Sequence, residues 1–513
     1  MGTEEGASVK NSVGRLIFVG ISVLIQLGWL LLLMIRLNMY STGISVVSSL
    51  IALVVVLRIY VKPENTAYKM PWIMLIMAFP VMGLSLYLMF GHSGVTKGMR
   101  RRFEQIDAVL DEKLVQDPAV MERLEKKDLA IANQARYIYR YGRYPVCQNT
   151  DIVFYPDAAE GFAAQKEELR RAERFVFMEY HAIEDAESFG EIREILSRKV
   201  KEGVEVRILY DDIGSIGFIN KDFIRRMESE GIACRVFNPV VPVLNIFMNN
   251  RDHRKITVVD GRVGFTGGYN LANEYFNITH PYGHWKDTGV KLAGDAVHSL
   301  TCMFLEMWNA IRKTDGEYDK YLLRTDRQAK EDCFVAPYAD SPLDGEPVGE
   351  NVYMNIVKNA KRYVYFTTPY LIISDEMNRE LGEAVKRGVD VRIITPGIPD
   401  KKVIYQVTRS YYAGLVRNGV RIYEYTPGFI HAKQCVCDDE VATVGTINMD
   451  YRSLYLHFEN GVFFYNGSAV GAVRKDFETT LSACCEVTQK YQSGRSAALR
   501  LWQCILRLFA PLL

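Results

Sequence analysis

The chain reads as an α/β protein of two duplicated α/β sandwich halves around a pseudo-twofold, preceded by N-terminal transmembrane helices. Three observations predict this. The pattern His253-Arg254-Lys255-Ile256-Thr257-Val258-Val259-Asp260 recurs as His431-Ala432-Lys433-Gln434-Cys435-Val436-Cys437-Asp438. The strands and helices around each copy also recur in the same order. The first hundred residues hold three long stretches almost free of charge. A chain of 513 residues exceeds one ordinary core, so several domains are expected.

Residues 1–99 form the expected membrane region, with spans at about 16–35, 41–58 and 70–91. Each run approaches the roughly 20 residues needed to cross a hydrocarbon core. Leu16 to Ile35 is long for a signal-peptide apolar core and lacks a clear small-residue cleavage site. The flanking Lys and Arg residues number five on each side, so their count does not set the orientation. The tight Arg100-Arg101-Arg102 cluster and the unpaired cysteines favour a cytoplasmic catalytic region. Residues 100–150 read as a helical connector, a solvated helix between the membrane and globular parts.

The first α/β half is expected over 151–315. It places strands at Arg174–His181, Val204–Asp211 and Ile232–Phe237, with helices at Phe189–Glu202 and Phe223–Glu230. The second is expected over 348–490, where Lys361–Phe366 parallels Glu173–Met178 and Lys386–Ile393 parallels Lys201–Ile208. Gly231 and Gly419 introduce the next strand in each half. A linker rich in charge, Gly and Pro is expected over 316–347. About ten residues are inserted in the first half only, within the apolar segment Asn238–Asn250, a candidate lipid contact or an ordinary packed loop. The tail, 494–513, reads as a basic amphipathic helix on anionic lipid rather than a helix closing the second core.

The net charge of +1 excludes a globally basic nucleic-acid binder. Nine cysteines without paired spacing exclude a disulfide framework or zinc-ribbon reading, and most are expected to be small buried hydrophobes.

In each motif, His and Lys two residues apart on a strand share one face, so imidazole and ammonium line one wall. Asp260 and Asp438, five residues past the lysines, face the opposite way and read as the structural members of the motif. Asn270 and Asn448 each follow the motif histidine by seventeen residues, with Gly267 and Gly445 three residues before them. His181, His280, His284 and His457 are the other histidines considered; a lone histidine is more often structural, although His457 lies close to Glu459.

These motifs, H-x-K-x4-D followed by a Gly-rich turn and Asn, resemble the phospholipase D superfamily, and both copies are complete. Pro71-Trp72, the Pro80-x-x-Gly83-x-x-x-Tyr87-x-x-x-Gly91 pattern, Gly283-His284-Trp285-Lys286-Asp287 and Asn448-Met449-Asp450-Tyr451-Arg452-Ser453 are similar to bacterial cardiolipin synthases. The first span departs from that pattern, since two spans are common in the family.

The resemblance implies catalytic His253, Lys255 and Asp260 in one half and His431, Lys433 and Asp438 in the other. One imidazole attacks phosphorus to form a phosphohistidine, and the other protonates the leaving alkoxide and later deprotonates the acceptor. Relatives favour His253 as nucleophile, leaving His431 as acid and base. The lysines hold the non-bridging oxygens, with Asn270 and Asn448 as neutral donors. Glu459 matches the family's position for a carboxylate that orients a histidine; Asp287 is the first-half choice, with Glu274 as competitor. No cofactor or metal is expected. The implied activity is cardiolipin synthesis: phosphatidyl transfer between two phosphatidylglycerol molecules, releasing glycerol. Phosphatidylglycerol and other anionic phospholipids are the expected partners, at a multi-pass site in the cell membrane, with no nucleic acid. The alternatives are a hydrolytic phospholipase D or another phosphatidyltransferase of the superfamily; a nuclease and a non-catalytic scaffold rank below them.

Overall fold

The computed structural model describes residues 42–62, 65–91, 97–239, 250–316, 318–322, 328–492 and 497–510, with scattered positions between 17 and 32. The strands of the first half are β1 (Thr150–Tyr155), β2 (Phe175–Tyr180), β3 (Glu205–Asp211), β4 (Ala233–Phe237), β5 (Lys255–Val259), β6 (Val263–Gly267), β7 (His284–Lys286) and β8 (Gly289–Gly294). Those of the second are β9 (Phe334–Asp340), β10 (Tyr363–Thr367), β11 (Leu371–Ile372), β12 (Asp390–Pro396), β13 (Arg421–Tyr425), β14 (Gly428–Ile430), β15 (Gln434–Cys437), β16 (Val441–Gly445), β17 (Met449–Asp450), β18 (Glu459–Tyr465) and β19 (Cys484–Glu486).

The two main sheets share one topology. The first runs β1-β8-β6-β5-β2-β3-β4. The second runs β9-β18-β16-β15-β10-β12-β13, with β19 added at its edge. In both, a parallel wing joins an antiparallel wing at the central strand, β2 or β10, whose antiparallel neighbour is the motif strand β5 or β15. The central strands β2 and β10 are buried along their whole length, as Phe175-Val176-Phe177-Met178 and Tyr363-Val364-Tyr365-Phe366 require. The duplication read from the motifs is therefore a duplication of whole sheets.

The motif aspartates close the back of each sheet. Asp260 accepts backbone N–H bonds from Glu173 (2.9 Å), Arg174 (2.7 Å) and Phe175 (2.9 Å). Asp438 accepts the matching set from Lys361 (2.6 Å), Arg362 (2.8 Å) and Tyr363 (2.9 Å). Each carboxylate thus clamps the start of the neighbouring central strand. Both residues sit at the turn after the motif strand, β5 or β15, with φ of +55°, a conformation that Asp tolerates better than most residues.

Several expected boundaries move. The linker expected over 316–347 contains β9, which pairs along its length with β18. Its seven residues are all buried, but charged flanks and an internal Pro337 disguise it as a linker in the sequence. The connector is not a solvated helix. It comprises three helices, Lys97–Asp111, Pro118–Lys127 and Leu129–Gly142, whose Phe103, Ile106, Leu110, Leu124, Ile131 and Ile138 enter the main core.

In the membrane region, the span expected at 16–35 lies mostly outside the described residues. That at 41–58 falls on helix α1 (Thr42–Val61), and that at 70–91 is two helices, α2 (Thr66–Ala78) and α3 (Pro80–Phe90). The break has a local cause: Phe79 precedes a proline, leaves the helical region (φ −138°, ψ 78°), and Pro80 starts the next helix. The chain folds back so tightly that a Cβ on Gly83 would lie 2.5 Å from Ile76 Cα. Counted over the described residues, no helix is long and apolar enough to cross a membrane. α1, α2 and α3 instead share a small core of Ala52, Ile59, Ile76 and Tyr87.

The tail forms the helix Ala497–Phe509, which packs on helix Lys402–Arg417 and on α2. Leu506 and Gln503 are buried, whereas Leu501, Trp502 and Ile505 are exposed. One face of the tail thus closes the second half, the reading ranked second from the sequence, while another face is apolar and exposed. Most of the apolar insertion at 238–250 lies outside the described residues.

Candidate active site

His253 and His431 sit just before β5 and β15, not within them, on segments whose backbones cross to the other half. The His253 N–H donates to the Phe458 carbonyl (2.9 Å), and the His431 N–H donates to the Lys286 carbonyl (2.7 Å). β14 also pairs in parallel with β7, one short strand from each half. These reciprocal bonds bring both motifs to one cavity of about 420 Å³, lined among others by His253, His431, Asn270, Asn448, His181 and His457.

Each histidine takes its carboxylate from the opposite half. His253 Nδ1 lies 2.9 Å from Glu459, and His431 Nδ1 lies 2.7 Å from Asp287. Both carboxylates are fully buried at the side-chain level. A proton on Nδ1 is then held toward the carboxylate, which leaves the Nε2 lone pair available. Burial alone would raise the Asp287 carboxyl, but His431, Lys433 and the bonds from His431 and the Thr288 N–H outweigh it and hold it below the usual range. The Glu459 carboxylate also accepts from the Thr446 hydroxyl. Glu274 lines the cavity and touches neither role; burial pushes its carboxyl up to about 7.

The sequence assigns one carboxylate to each half, and the structure adds which histidine it serves. Asp287→Asn should accordingly lower kcat as severely as Glu459→Gln, by about 10²-fold or more, because an amide no longer fixes the imidazole tautomer. Steady-state kinetics of both variants check this; a normal kcat in either would remove that carboxylate from the site.

Lys255 and Lys433 are almost wholly buried, and each Nζ donates to the carbonyl of its own motif histidine, at 2.6 Å for Lys255. Burial pushes these ammonium groups down to about 8 and about 7. A bound phosphodiester anion would restore the charge that burial opposes. Asn270 Oδ1 accepts from the Ala182 N–H (3.1 Å), while its Nδ2 donates to the Tyr275 hydroxyl (2.7 Å). The Asn448 Oδ1 is buried and has no hydrogen-bond partner among the described residues. Gly267 and Gly445 allow the close strand approach before these asparagines: a Cβ there would meet the Thr288 carbonyl oxygen at 2.5 Å and that of Asn460 at 2.4 Å.

The two ends of the cavity differ. His253 is flanked by His181 (4.9 Å between ring centroids) and His457 (5.7 Å). His431 is flanked by Trp285 (5.3 Å), Tyr275 (5.4 Å) and Phe429 (5.8 Å). His181 is held by its Nδ1, 2.8 Å from the Asp252 carbonyl. His284 lies outside the cavity, where its Nδ1 meets the Tyr425 hydroxyl (3.0 Å). Sequence reasoning missed Tyr275, Tyr370, Lys401 and Asp400 as cavity residues. They lie outside the motif spacings, and only the fold brings them there.

All four cavity histidines are pushed below the ordinary imidazole range, chiefly by burial, His431 and His457 to about 3. Unfolded histidines bind protons as pH falls through about 6.5, whereas these folded ones do so only at lower pH. Their contribution to stability is thus present above about pH 6.5 and is lost as pH falls. Melting temperature should drop between pH 6.5 and 5, and His457→Asn should lessen that slope by up to about 1.4 kcal/mol per pH unit, one proton's worth. Thermal melts of both proteins across that window measure it.

Two duplicated sheets presenting paired His-Lys motifs to a shared cavity define the phospholipase D-like class of phosphodiester-handling enzymes. Residues 166–308 and 353–481 match the family described as "Cardiolipin synthase, PLD-like domain", and residues 47–92 match the "Phospholipase_D-nuclease N-terminal" family. The chain belongs to the phospholipase D-like cardiolipin synthase family. A cardiolipin synthase of Halalkalibacterium halodurans is 33% identical over 89% of this chain and 91% of its own length. Cardiolipin synthase 2 of Bacillus cereus is 32% identical over 89% of this chain and 88% of its own. An uncharacterised protein of Streptococcus mutans is 40% identical over 88% of this chain and 97% of its own. The crystal structure of phosphatidylserine synthase from Haemophilus influenzae shares the fold, with a TM-score of 0.54 and 16% identity over 70% of this chain and 93% of that one.

Proposed function

We propose that this protein is a cardiolipin synthase, moving a phosphatidyl group from one phosphatidylglycerol to the hydroxyl of a second and releasing glycerol. The observation that carries the reading is the pair of histidines, each oriented by a buried carboxylate from the opposite half, facing one cavity with two buried lysines. One imidazole Nε2 attacks phosphorus while the other, which takes up a proton at Nε2 as the bound phosphodiester anion offsets its burial, donates that proton to the departing glycerol oxygen. The second imidazole, now neutral, removes the proton of the incoming lipid hydroxyl, whose oxygen displaces the phosphohistidine. His253 serves as nucleophile and His431 as acid and base in this reading. Lys255 and Lys433 balance the phosphate charge in both steps.

Exposed apolar side chains support a lipid location. Val46, Val47, Leu50, Ile51, Val54 and Leu57 of α1 face outward, as do Leu501, Trp502 and Ile505 of the tail helix, and Ala510 just past it lines the cavity. The cavity mouth thus adjoins an apolar surface, which suits donor and acceptor lipids held in a bilayer. In this reading the protein is anchored in the cell membrane with its catalytic halves on the cytoplasmic side. Incubation of the purified protein with phosphatidylglycerol vesicles, followed by mass spectrometry, tests the activity. Cardiolipin and glycerol are expected in equal amounts; phosphatidic acid without cardiolipin would replace this reading with hydrolysis.

A further inference from the structure

His457 stands beside the reacting pair, and neither step above uses it. Its side chain is 11% exposed, and both ring nitrogens lack a hydrogen-bond partner among the described residues. An imidazole left unpaired in such a site is unusual, because burial of a polar group without a partner costs about 1–3 kcal/mol. Its Nδ1 lies 3.8 Å from Glu459 Oε1, and the Glu459 side chain is fully buried. One donor atom from each of His253, His457 and Glu459 lies within 4.8 Å of the others.

Two imidazoles and a carboxylate form a ligand set that zinc takes in open, three-ligand sites. Donors at about 2.0–2.2 Å from a tetrahedral ion lie roughly 3.3–3.6 Å from one another. The pairs here, 2.9 Å for His253 Nδ1 to Glu459 and 3.8 Å for His457 Nδ1 to Glu459, bracket that spacing. Small ring rotations close the set once the His253 proton has moved from Nδ1 to Nε2, which frees Nδ1 for the ion. Among the described residues the other end of the cavity offers no equivalent set, and His431 is flanked there by Trp285, Tyr275 and Phe429. Lys255 and Lys433 are buried close enough to His253 for their charges to act on it and would repel a cation there, which favours reversible binding over a permanent structural ion.

We propose that His253, His457 and Glu459 form a reversible inhibitory site for a divalent transition-metal ion of the zinc type. The ion would engage His253 and the carboxylate that orients it, so the metal-bound enzyme could not use that histidine in the reaction. Nitrogen-rich ligation favours Zn²⁺ over Mg²⁺ or Ca²⁺, which prefer oxygen donors.

The test uses the full detergent-solubilised chain, stripped with chelator, in a Cys485→Ser, Cys504→Ser background that removes the two exposed thiols. Calorimetric titration with ZnCl₂ should show one equivalent that is lost in His457→Asn and that MgCl₂ does not displace. On phosphatidylglycerol vesicles, Zn²⁺ should inhibit the unmutated enzyme, EDTA should restore it, and His457→Asn should raise the half-inhibiting concentration at least tenfold. Cobalt(II) loading of the chain with His457 intact should give visible bands of nitrogen and oxygen ligation without thiolate charge transfer, a result that needs no mutant to fold. Equal Zn²⁺ binding with and without His457, no binding at all, or a cobalt spectrum dominated by thiolate would overturn the proposal. The calorimetric and cobalt readouts do not depend on the lipid product, so they separate this site from the assigned reaction.

Discussion

His253→Ala is expected to lower kcat by more than about 10⁴-fold, because it removes the atom that would carry the phosphatidyl group between donor and acceptor. His431→Ala should lower it by about 10²–10⁴-fold, the range of a lost proton-transfer group. The two losses should not add in the double variant, since residues acting as one unit lose most of their effect with the first member removed. Their qualitative difference is more informative than their size. With His431 replaced, a donor carrying a good leaving group no longer needs an acid, so a phosphatidyl adduct should build up on His253. Intact-mass and peptide mass spectrometry would locate it. An adduct found on His431 in a His253→Ala chain would reverse the assignment of nucleophile and acid.

Asp438→Ala should lower stability by about 3–5 kcal/mol, through loss of a charged acceptor for three backbone N–H groups, two of them near the surface and able to recover part of the loss through water. Alanine must also adopt the left-handed backbone at φ +55°, adding about 1 kcal/mol. A fall in melting temperature on the order of 10 °C follows for a unit of this size. Asp438→Asn keeps an acceptor oxygen and tolerates that backbone, so its loss should be about half. The fraction that remains folded should turn over at near the normal kcat, because the carboxylate lies at the back of the sheet rather than in the cavity. A kcat loss without a stability loss would assign Asp438 to the chemistry.

The duplicated sheets were legible because each repeats a local pattern: His-x-Lys at strand spacing, the glycine before the asparagine, and an apolar central strand. Glu459 and Asp287 were legible as one carboxylate per half. Their pairing across the halves was not, since it depends on how β7 meets β14 and how Phe458 meets His253, contacts between segments far apart in the chain. The α2–α3 hairpin was hidden for the opposite reason. From Met70 onward its two helices carry no charge, Pro71 lies within the first of them, and only Pro80 marks the reversal in a run that otherwise reads as one span. β9 was hidden by charged flanks, and the connector helices by an apolar periodicity too loose to distinguish a buried face from a solvated one. His457 illustrates a further limit. Its closeness to Glu459 in sequence was visible, but its unpaired ring beside His253 appears only when the two halves meet.

The exchange of carboxylates between halves also governs when the chemistry can first operate during synthesis. A ribosome that has completed residues 151–315 has made His253, Lys255 and Asn270 but not the glutamate that orients the imidazole, which arrives with β18. The growing chain should therefore stay chemically silent until residue 459 has emerged and the second sheet has folded onto the first. Either half expressed alone holds one motif histidine and lacks the carboxylate that orients it. Mixing the separate halves should restore activity only to the extent that they reassociate, so turnover would report their assembly.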